Sequence, residues 1–341
     1  MDRRTVRKIL VLELWNIGDV VLTLPFLQQL RTLFPDARIT MVGRAHARAL
    51  LAPSDCIDEF IEVDLNWQRK TLEKPFSYPW PLMWRLARRL RREKFDIAFQ
   101  NRPHVREYVM LFASGAKRRV GVRKTPWDML LTDRVTVDAF TEQKKESWLR
   151  LLAPFGGPTA SSRPTLKPME TARQWATEWL ASRGVSTETV LVGVHPGASV
   201  ASKRWPLDRF EEILDRLSER PNVKSMVFVD PDGYGSSLPD DDRRLLVRQD
   251  LPKLVALLEQ CDLLVCNDSG PMHIAAALGV PCVAVYSSGI DRMFEPLGTG
   301  HHLITPAASP SVAGARQPPP PYDVTQVPVA RVLDAIETLI G

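Results

Sequence analysis

The chain has 341 residues, of which 44% are hydrophobic and 25% charged, and its formal net charge at pH 7 is +5. This composition is typical of a globular protein with an ample core, and the length predicts two domains. A membrane-spanning helix is not expected, because no apolar run approaches the roughly 18 residues that such a helix needs.

The chain begins with a basic segment, Met1–Lys8, that is similar to the start of a secretory signal peptide. The apolar run after it soon meets Glu13, Asn16 and Asp19, and no small-residue cleavage site follows. The run is therefore predicted to be the first strand of the fold.

The cysteines show no spacing typical of a metal site, and three of the four lie in or beside apolar runs. Buried free thiols are expected, which predicts a reducing, cytoplasmic location. The cysteines are Cys56, Cys261, Cys266 and Cys282.

Strand-like and helix-like segments alternate along the first half of the chain. The predicted strands are residues 8–14, 38–42, 59–63, 96–100 and 118–122. The predicted helices are residues 19–34, 44–51, 82–94 and 105–114. Repeated alternation of this kind predicts a doubly wound parallel sheet.

The second half repeats the alternation after a segment rich in proline and glycine, residues 154–168, which we interpret as a linker. Its predicted strands are residues 190–194, 225–229, 245–247, 263–266 and 282–286. Its predicted helices are residues 171–182, 207–218, 252–260, 271–278 and 329–340, and residues 307–321 are predicted to form an irregular loop. The two halves predict an α/β fold of two Rossmann-like domains, residues 1–160 and 170–325, facing each other across a cleft.

The first chemically informative motif, Trp15–Pro25, comes directly after the first predicted strand. Gly18 permits a tight turn or the close approach of a ligand. Asp19 is expected at or near the N-terminus of the next helix, where it either only caps the helix or also points into the cleft. The pattern G-x-G-x-x-G is absent, which argues against a dinucleotide dehydrogenase.

The second motif, His195–Pro206, follows the first strand of the second half. Gly197 and Ser199 offer backbone and hydroxyl donors, and Lys203 and Arg204 offer positive charge for a diphosphate. A solvated basic loop is the alternative interpretation, because most surface charges are solvated.

The third motif, Asn267–Gly279, joins two apolar strands through a polar turn and a helix of small residues. A turn at the carboxyl end of a parallel strand is where α/β proteins bind phosphates and sugars. Asp268, Ser269 and His273 lie at this end, and the unpaired N–H groups of the helix near Gly270 suit a phosphate. Asp268 would accept from sugar hydroxyls or from backbone N–H groups. The alternative is that Asp268 only caps the helix and that His273 is a core residue.

At these three motifs the chain resembles glycosyltransferase family 9, the bacterial heptosyltransferases of lipopolysaccharide core assembly. The resemblance is carried by residues 16–25, by 195–199 with 203–206, and by 267–273, whose order and spacing match. Each motif alone is weak, but together they are specific and span most of the chain. Residues 67–122 carry no useful resemblance.

The resemblance implies a GT-B fold, with the acceptor in the N-terminal domain and the nucleotide sugar in the C-terminal domain. The last helix, within residues 326–341, is expected to pack back on the first domain. Asp19 matches the family's general base, beside Asn16 and Gly18 on the acceptor side. It would take the proton of the acceptor hydroxyl as the anomeric carbon is attacked.

The same resemblance assigns the donor side. Lys203 matches the lysine on the donor phosphates, where it would stabilise the leaving group together with the N–H groups near Gly270. Asp268 and His273 match donor-site positions. The family commonly has a Gly-Pro-x-Glu turn whose acid meets the ribose, whereas this chain has Asp230-Pro231-Asp232-Gly233, so the resemblance assigns neither the ribose contact nor the base preference.

Two polar patterns suggest metal sites but have simpler interpretations. Asp230-Pro231-Asp232 spells the Asp-x-Asp motif of a different glycosyltransferase fold, but Pro-Asp-Gly favours a turn. His301 and His302 have no partners at ligand spacing and are interpreted as loop residues. No metal or other cofactor is expected.

The segment Leu82–Arg92 predicts a basic amphipathic helix with Leu82, Leu86 and Leu90 in one stripe. Such a helix either lies on an anionic lipid surface or packs its stripe into the core with a solvated basic face. The first interpretation predicts peripheral contact with the inner face of the bacterial inner membrane. No nucleic-acid partner is expected.

The resemblance implies an inverting, metal-independent glycosyltransferase that uses ADP-heptose or a related nucleotide sugar, and this is our prediction. The expected acceptor is a glycan or lipid-linked glycan of the lipopolysaccharide core. One alternative is a GT-B transferase with another donor or a non-lipopolysaccharide acceptor. Another is a noncatalytic protein that binds sugar nucleotides, against which the presence of Asp19 and Lys203 argues. A nucleotide-sugar epimerase fits the three motifs poorly.

Overall fold

In a computed structural model, the chain divides into two units, Met1–Pro164 and Thr165–Gly341. The structure describes residues 3–64, 79–137, 142–157, 166–287, 293–306 and 323–341. The division falls inside the segment that we interpret as a linker. Part of that segment, residues 158–165, lies outside the described residues, as does the loop predicted at 307–321.

The first unit is built on a parallel sheet in which the first strand lies near the centre. In chain order the strands are β1 (Lys8–Leu12), β2 (Arg38–Gly43), β3 (Glu59–Glu62), β4 (Ile97–Gln100), β5 (Arg118–Val122) and β6 (Asp133–Val135). Across the sheet the order is β3-β2-β1-β4-β5-β6, and every neighbouring pair is parallel. Strands β1 to β3 therefore form one half of the sheet, β4 pairs with the other side of β1, and β5 and β6 complete the second half.

Helices cover both faces of this sheet. They are α1 (Ile17–Leu33), α2 (Ala45–Leu51), α3 (Trp80–Glu93), α4 (Val105–Ala113) and α5 (Lys144–Arg150). On one face, Phe26 of α1 packs against Phe99 of β4 and Trp148 of α5, with ring centres 5.2 and 4.8 Å apart. On the other face, α3 and α4 share a core cluster with Leu10 and Ala98. The continuous apolar run of β1 is typical of a strand covered on both faces.

The second unit repeats the same strand order. Its strands are β7 (Val190–His195), β8 (Val223–Phe228), β9 (Arg244–Val247), β10 (Leu263–Asn267), β11 (Cys282–Val285) and β12 (His302–Ile304). The order across the sheet is β12-β11-β10-β7-β8-β9, again with parallel neighbours. Its helices are α6 (Glu170–Ser182), α7 (Leu207–Ser218), α8 (Leu251–Glu259), α9 (Gly270–Leu278) and α10 (Val329–Ile340).

The last helix, α10, packs in the core of the second unit. Its buried residues Val332, Ala335 and Ile336 belong to the same core cluster as the strands of the second unit and α7. The apolar stripe of α10 thus covers the sheet of its own unit, and its expected packing on the first domain stays a prediction. The physical reason for the packing in the second unit is that α10 and α7 together bury the apolar face formed by residues such as Val265 and Val283.

The amphipathic helix α3 buries a different stripe from the predicted one. Met83, Leu86 and Leu90 are buried in the first core, whereas Leu82 is only partly buried against it. The predicted stripe of three leucines is therefore wrong at one residue, because Met83 is buried in place of Leu82. The apolar face of α3 packs against the core of the first unit. No helix in the described ranges is long and apolar enough to cross a membrane.

Ile336→Ala tests the placement of α10. Ile336 is fully buried in the second core, so its truncation should destabilise the protein by about 2–5 kcal/mol in urea unfolding. Ile340→Ala is the matched control, because Ile340 lies on the same helix but is only partly buried. Equal losses for the two variants would contradict this packing of the helix.

Candidate active site

The predicted acceptor-side residues lie where β1 and β4 run side by side at the carboxyl edge of the first sheet. This is the topological switch point, where open α/β sheets bind ligands. Asn16 is the N-cap of α1, and Asp19 is the third residue of the helix. The backbone N–H of Asn16 donates to Oδ2 of Asp19 at 3.3 Å, as part of a capping box. Asp19 is therefore not the N-cap itself, and Gly18 lies in the turn of helix between the two residues.

The second carboxylate oxygen of Asp19 forms an ion pair that the sequence motifs do not contain. Its Oδ1 accepts a hydrogen bond from the guanidinium of Arg102, which follows β4. The side chain of Asp19 is only 6% exposed and that of Arg102 23%. Burial acts to lower the pKa of Arg102, but Asp19, Glu13 and Glu107 outweigh it and raise that pKa.

The guanidinium of Arg102 lies over the indole ring of Trp15, 4.4 Å from its centre. Three hydrogen bonds hold Trp15. Its backbone N–H donates to Glu13 Oε1 at 3.0 Å, and its Nε1–H donates to Glu107 Oε1 at 2.6 Å. Its carbonyl accepts from His46 Nε2 at 2.8 Å.

Three further ionisable groups are buried around Asp19 and Arg102. Burial and the charge of Asp19 raise the pKa of Glu13 to about 7, and burial and Glu13 raise that of Glu107 to about 8. Burial and the charge of Arg102 lower the pKa of Lys144 to about 8. Lys144 donates to the carbonyl of Asn101, so α5 is tied to the segment after β4. The site therefore contains a buried cluster of both charge signs.

The predicted donor-side residues lie at the equivalent switch point of the second sheet, where β7 and β10 are neighbours. Nζ of Lys203 donates to Oδ2 of Asp268 at 2.6 Å, and the hydroxyl of Ser287 donates to the same oxygen at 3.3 Å. The N-cap of α9 is Ser269, so the alternative that Asp268 caps this helix is wrong. The helix begins at Gly270, which leaves its first N–H groups at this edge.

A second hydrogen-bond chain connects the loops after β7, β8 and β10. Nε2 of His195 lies 3.0 Å from Oδ1 of Asp230, and Nδ1 lies 3.2 Å from the hydroxyl of Ser269. A Cβ at position 197 would overlap the carboxylate of Asp230, so any other residue there would have to displace that side chain.

Arg204 is directed towards the turn after β8. Its Nη2 donates to Oδ2 of Asp232 at 2.8 Å, and its guanidinium lies 4.2 Å from the centre of the Tyr234 ring. The turn itself is closed by a hydrogen bond from Gly233 N–H to the Asp230 carbonyl at 2.8 Å. Pro-Asp-Gly therefore forms the predicted turn, with Gly233 at a φ of 86°. Arg204 thus binds this turn in the structure, as Lys203 binds Asp268.

The remaining predicted residues differ in exposure. Ser199 is exposed on the loop after β7, and His273 is buried within α9. His302 begins β12 and is not a loop residue as expected. Within the described residues, no group of three His, Cys, Asp or Glu side chains could hold a metal ion. The four cysteines are free, and burial raises the pKa of Cys261, Cys266 and Cys282.

Several site residues were missed in the sequence. Glu13, Arg102, Glu107 and Lys144 surround Asp19, and Asp230 and Ser287 complete the donor side. One signal was present for Arg102, because it follows a buried strand within two residues. That signal becomes specific only when β4 is known to lie beside β1.

Comparison with known proteins gives consistent matches. The family model of glycosyltransferase family 9 (heptosyltransferase) matches residues 83–311. Lipopolysaccharide heptosyltransferase 2 of Escherichia coli strain K12 is 24% identical over 328 residues, covering 87% of this chain and 90% of that protein.

Two solved structures share the fold. A family 9 glycosyltransferase from Veillonella parvula has a TM-score of 0.80 and 24% identity, covering 99% of this chain and 98% of that one. The ADP-heptose LPS heptosyltransferase II of E. coli has a TM-score of 0.76 and 21% identity, covering 98% of both chains. The predicted GT-B class, with two Rossmann-like units, is confirmed.

Glu107→Gln tests the buried cluster through the pH dependence of stability. The folded state keeps Glu107 protonated up to about pH 8, whereas the unfolded chain releases this proton near 4.5. Glu107 therefore stabilises the fold fully below pH 4.5 and loses this contribution as the pH rises to about 8. Glutamine does not titrate and still accepts from Trp15. The free energy of unfolding of the variant should therefore rise relative to that of the wild type by about 1–3 kcal/mol between pH 5 and pH 8.

Urea unfolding of both proteins at the two pH values measures this gain. Glu62→Gln, the same change at an exposed strand end, is the control and should show no such trend. A difference between Glu107→Gln and wild type that does not change with pH would contradict the protonated state of Glu107.

Proposed function

Because the chain belongs to glycosyltransferase family 9, the heptosyltransferases, we propose that this glycosyltransferase moves a heptose from ADP-heptose to a hydroxyl of the lipopolysaccharide core. The observation that carries the proposal is the buried carboxylate of Asp19 at the switch point of the first sheet. The names of the two E. coli relatives support the donor and the acceptor class.

Asp19 acts as the general base in this proposal. Each of its oxygens has two lone pairs, and each accepts one hydrogen bond from the described residues, which leaves a lone pair for the acceptor hydroxyl. The acceptor oxygen bonds to the anomeric carbon from the side opposite the phosphate, which inverts the configuration. The hydroxyl proton passes to Asp19 as the carbon–oxygen bond forms. The electron pair of the broken bond leaves with ADP.

Lys203 and the N-terminus of α9 stabilise the departing diphosphate. The ammonium of Lys203 has three N–H donors, so it can keep Asp268 and still bind a phosphate oxygen. The first N–H groups of α9 add the positive end of a helix dipole. These groups supply the positive charge that developing phosphate charge requires, and we propose on this ground that no metal takes part.

Asp19→Asn and Lys203→Ala separate the two halves of this mechanism. Asp19→Asn should lower transfer by about 10²–10⁴-fold because the base is lost, while ADP still raises the melting temperature. Lys203→Ala should weaken stabilisation by ADP. Enzymatic transfer and thermal shift with ADP and other nucleotides measure the two effects.

Matched controls lie within the same units. Asp58→Asn removes another carboxylate paired with an arginine, and Lys253→Ala removes a surface lysine of the second unit. Full activity of Asp19→Asn would remove the base from the mechanism. A rate lost in chelator and restored by manganese would overturn the metal-free step, and a larger thermal shift with another nucleotide sugar would replace ADP-heptose as donor.

The exposed face of α3 supports peripheral contact with an anionic membrane. Trp80 and Trp84 lie one helical turn apart and are 53% and 66% exposed. Arg85, Arg88 and Arg92 line the adjoining surface. Tryptophan favours the membrane–water interface, and each basic residue near an anionic surface adds about 1 kcal/mol of attraction. The contact proposed here uses the tryptophans and arginines, since the buried stripe cannot reach lipid, and would hold the enzyme at the inner face of the inner membrane.

Replacing Trp80 and Trp84 together by serine should reduce binding to vesicles that contain anionic lipid by about tenfold, because two interfacial anchors are lost. The control replaces Trp175 and Trp179, which also lie one turn apart, on α6 of the second unit. Co-sedimentation with anionic and with neutral vesicles measures the binding. Unchanged binding of the Trp80/Trp84 variant would remove this surface from the proposal.

A further inference from the structure

Arg102 lies outside the three sequence motifs, yet it is the side chain that engages the proposed base directly. It follows β4 at the switch point, and its backbone N–H donates to Gln100 Oε1 at 2.6 Å. Its guanidinium binds Oδ1 of Asp19, while the backbone of Asn16 binds Oδ2. The two oxygens of the carboxylate are thus held from two different segments of the chain.

The guanidinium is itself held in place by Trp15. The indole ring lies 4.4 Å below it, and the ring cannot turn without losing its hydrogen bond to the buried carboxyl of Glu107. The backbone of Trp15 is bound on both sides, by Glu13 and by His46. A cation over a fixed aromatic face loses little freedom when it also binds a carboxylate.

Charged groups from several other elements surround Asp19. Glu13 after β1, His46 on α2, Arg102 after β4 and Lys144 on α5 all act electrostatically on Asp19 or are acted on by it. Glu107 on α4 acts on the same cluster through Glu13 and Arg102. Lys144 donates to a backbone carbonyl rather than to Asp19. A buried carboxylate beside other carboxyls takes up a proton unless a cation is bound to it.

We propose that Arg102 is a positioning residue for the transfer reaction: clamped over Trp15, it fixes the orientation of the Asp19 carboxylate and keeps it ionised for the acceptor hydroxyl. This inference rests on the proposed role of Asp19. Arg102 does not receive the proton, which passes to Asp19 and then to solvent after the product leaves. Its contribution is to hold the base in one geometry and one protonation state.

Arg102→Gln tests the inference through the pH profile of kcat. Without the guanidinium, the buried Asp19 should be protonated more readily, so the acid limb of the profile should move to higher pH by about one unit or more. At neutral pH kcat should fall by about 10–100-fold, because the carboxylate is also no longer oriented. KM for the donor should stay within about twofold. Arg102→Lys keeps a positive charge and should return the acid limb towards wild type, with kcat only partly restored.

Arg118→Gln is the matched control. Arg118 has the same side-chain exposure, 23%, pairs with Asp133, and lies 4.2 Å from the centre of the Phe155 ring. The Arg118→Gln variant thus loses a comparable ion pair and ring contact in the same unit. It should keep the wild-type pH profile of kcat. A wild-type profile for Arg102→Gln, or an equal shift for Arg118→Gln, would overturn the proposal.

Two more variants separate a failure of the role of Arg102 from a failure of the proposed function. Asp19→Asn should keep its loss of about 10²–10⁴-fold in transfer at every pH. If it transfers at the wild-type rate, the proposed function fails, whereas the expected loss in Asp19→Asn with a wild-type pH profile for Arg102→Gln removes only the role of Arg102. Should Arg102→Gln not fold, Trp15→Leu removes the aromatic platform together with its hydrogen bond to Glu107, and it must lower kcat without changing KM for the donor. Unchanged kcat in Trp15→Leu would then overturn the proposal.

Discussion

The position of the first strand in each sheet is the constraint on which the site depends. Both sheets begin in the middle, so β1 has β4 as its neighbour and β7 has β10. The loops after these strands lead to helices on opposite faces, which leaves an open edge where the backbone ladder ends. Side chains from distant segments meet there, such as Asp19 with Arg102 and Lys203 with Asp268. The same topology therefore produces an ion pair at the same place in each unit.

Burying these pairs has an energetic cost that the fold must offset elsewhere. Removing two charges from water costs several kcal/mol for each ion, and their attraction offsets this only when the geometry is good and the other polar atoms are bonded. The cluster around Asp19 meets this condition only in part: Glu13 and Glu107 keep their protons up to about pH 7 and pH 8, whereas the buried Nε of Arg102 has no hydrogen-bond partner among the described residues. A buried ion pair of this kind is weak evidence of stabilisation, so the apolar core of the unit must offset its cost.

The sequence predicts the long elements because their apolar periodicity is sustained over many residues. It misses β6 and β12, which have three residues each, and α5, whose seven residues include the buried Lys144. It also cannot assign α10 to a sheet, since an amphipathic stripe shows that a helix packs but not on which surface. Asp19 could be found because a contiguous motif surrounds it. Arg102 could not, because its partner is 83 residues away and only the strand order brings the two together.

Because Lys203 is paired with Asp268, the Lys203→Ala variant can lose stabilisation by ADP for two different reasons. Asp268 is buried and accepts from Lys203 and Ser287, so removing the lysine leaves a buried carboxylate without its cation. Such a loss destabilises a protein even when no ligand is present. A weaker effect of ADP in Lys203→Ala can thus arise from a lost phosphate contact or from a disturbed loop. The two causes separate when Asp268→Asn is combined with it, because the double variant has no unpaired charge. If the double variant regains stability but not affinity for ADP, the lysine binds the phosphate itself.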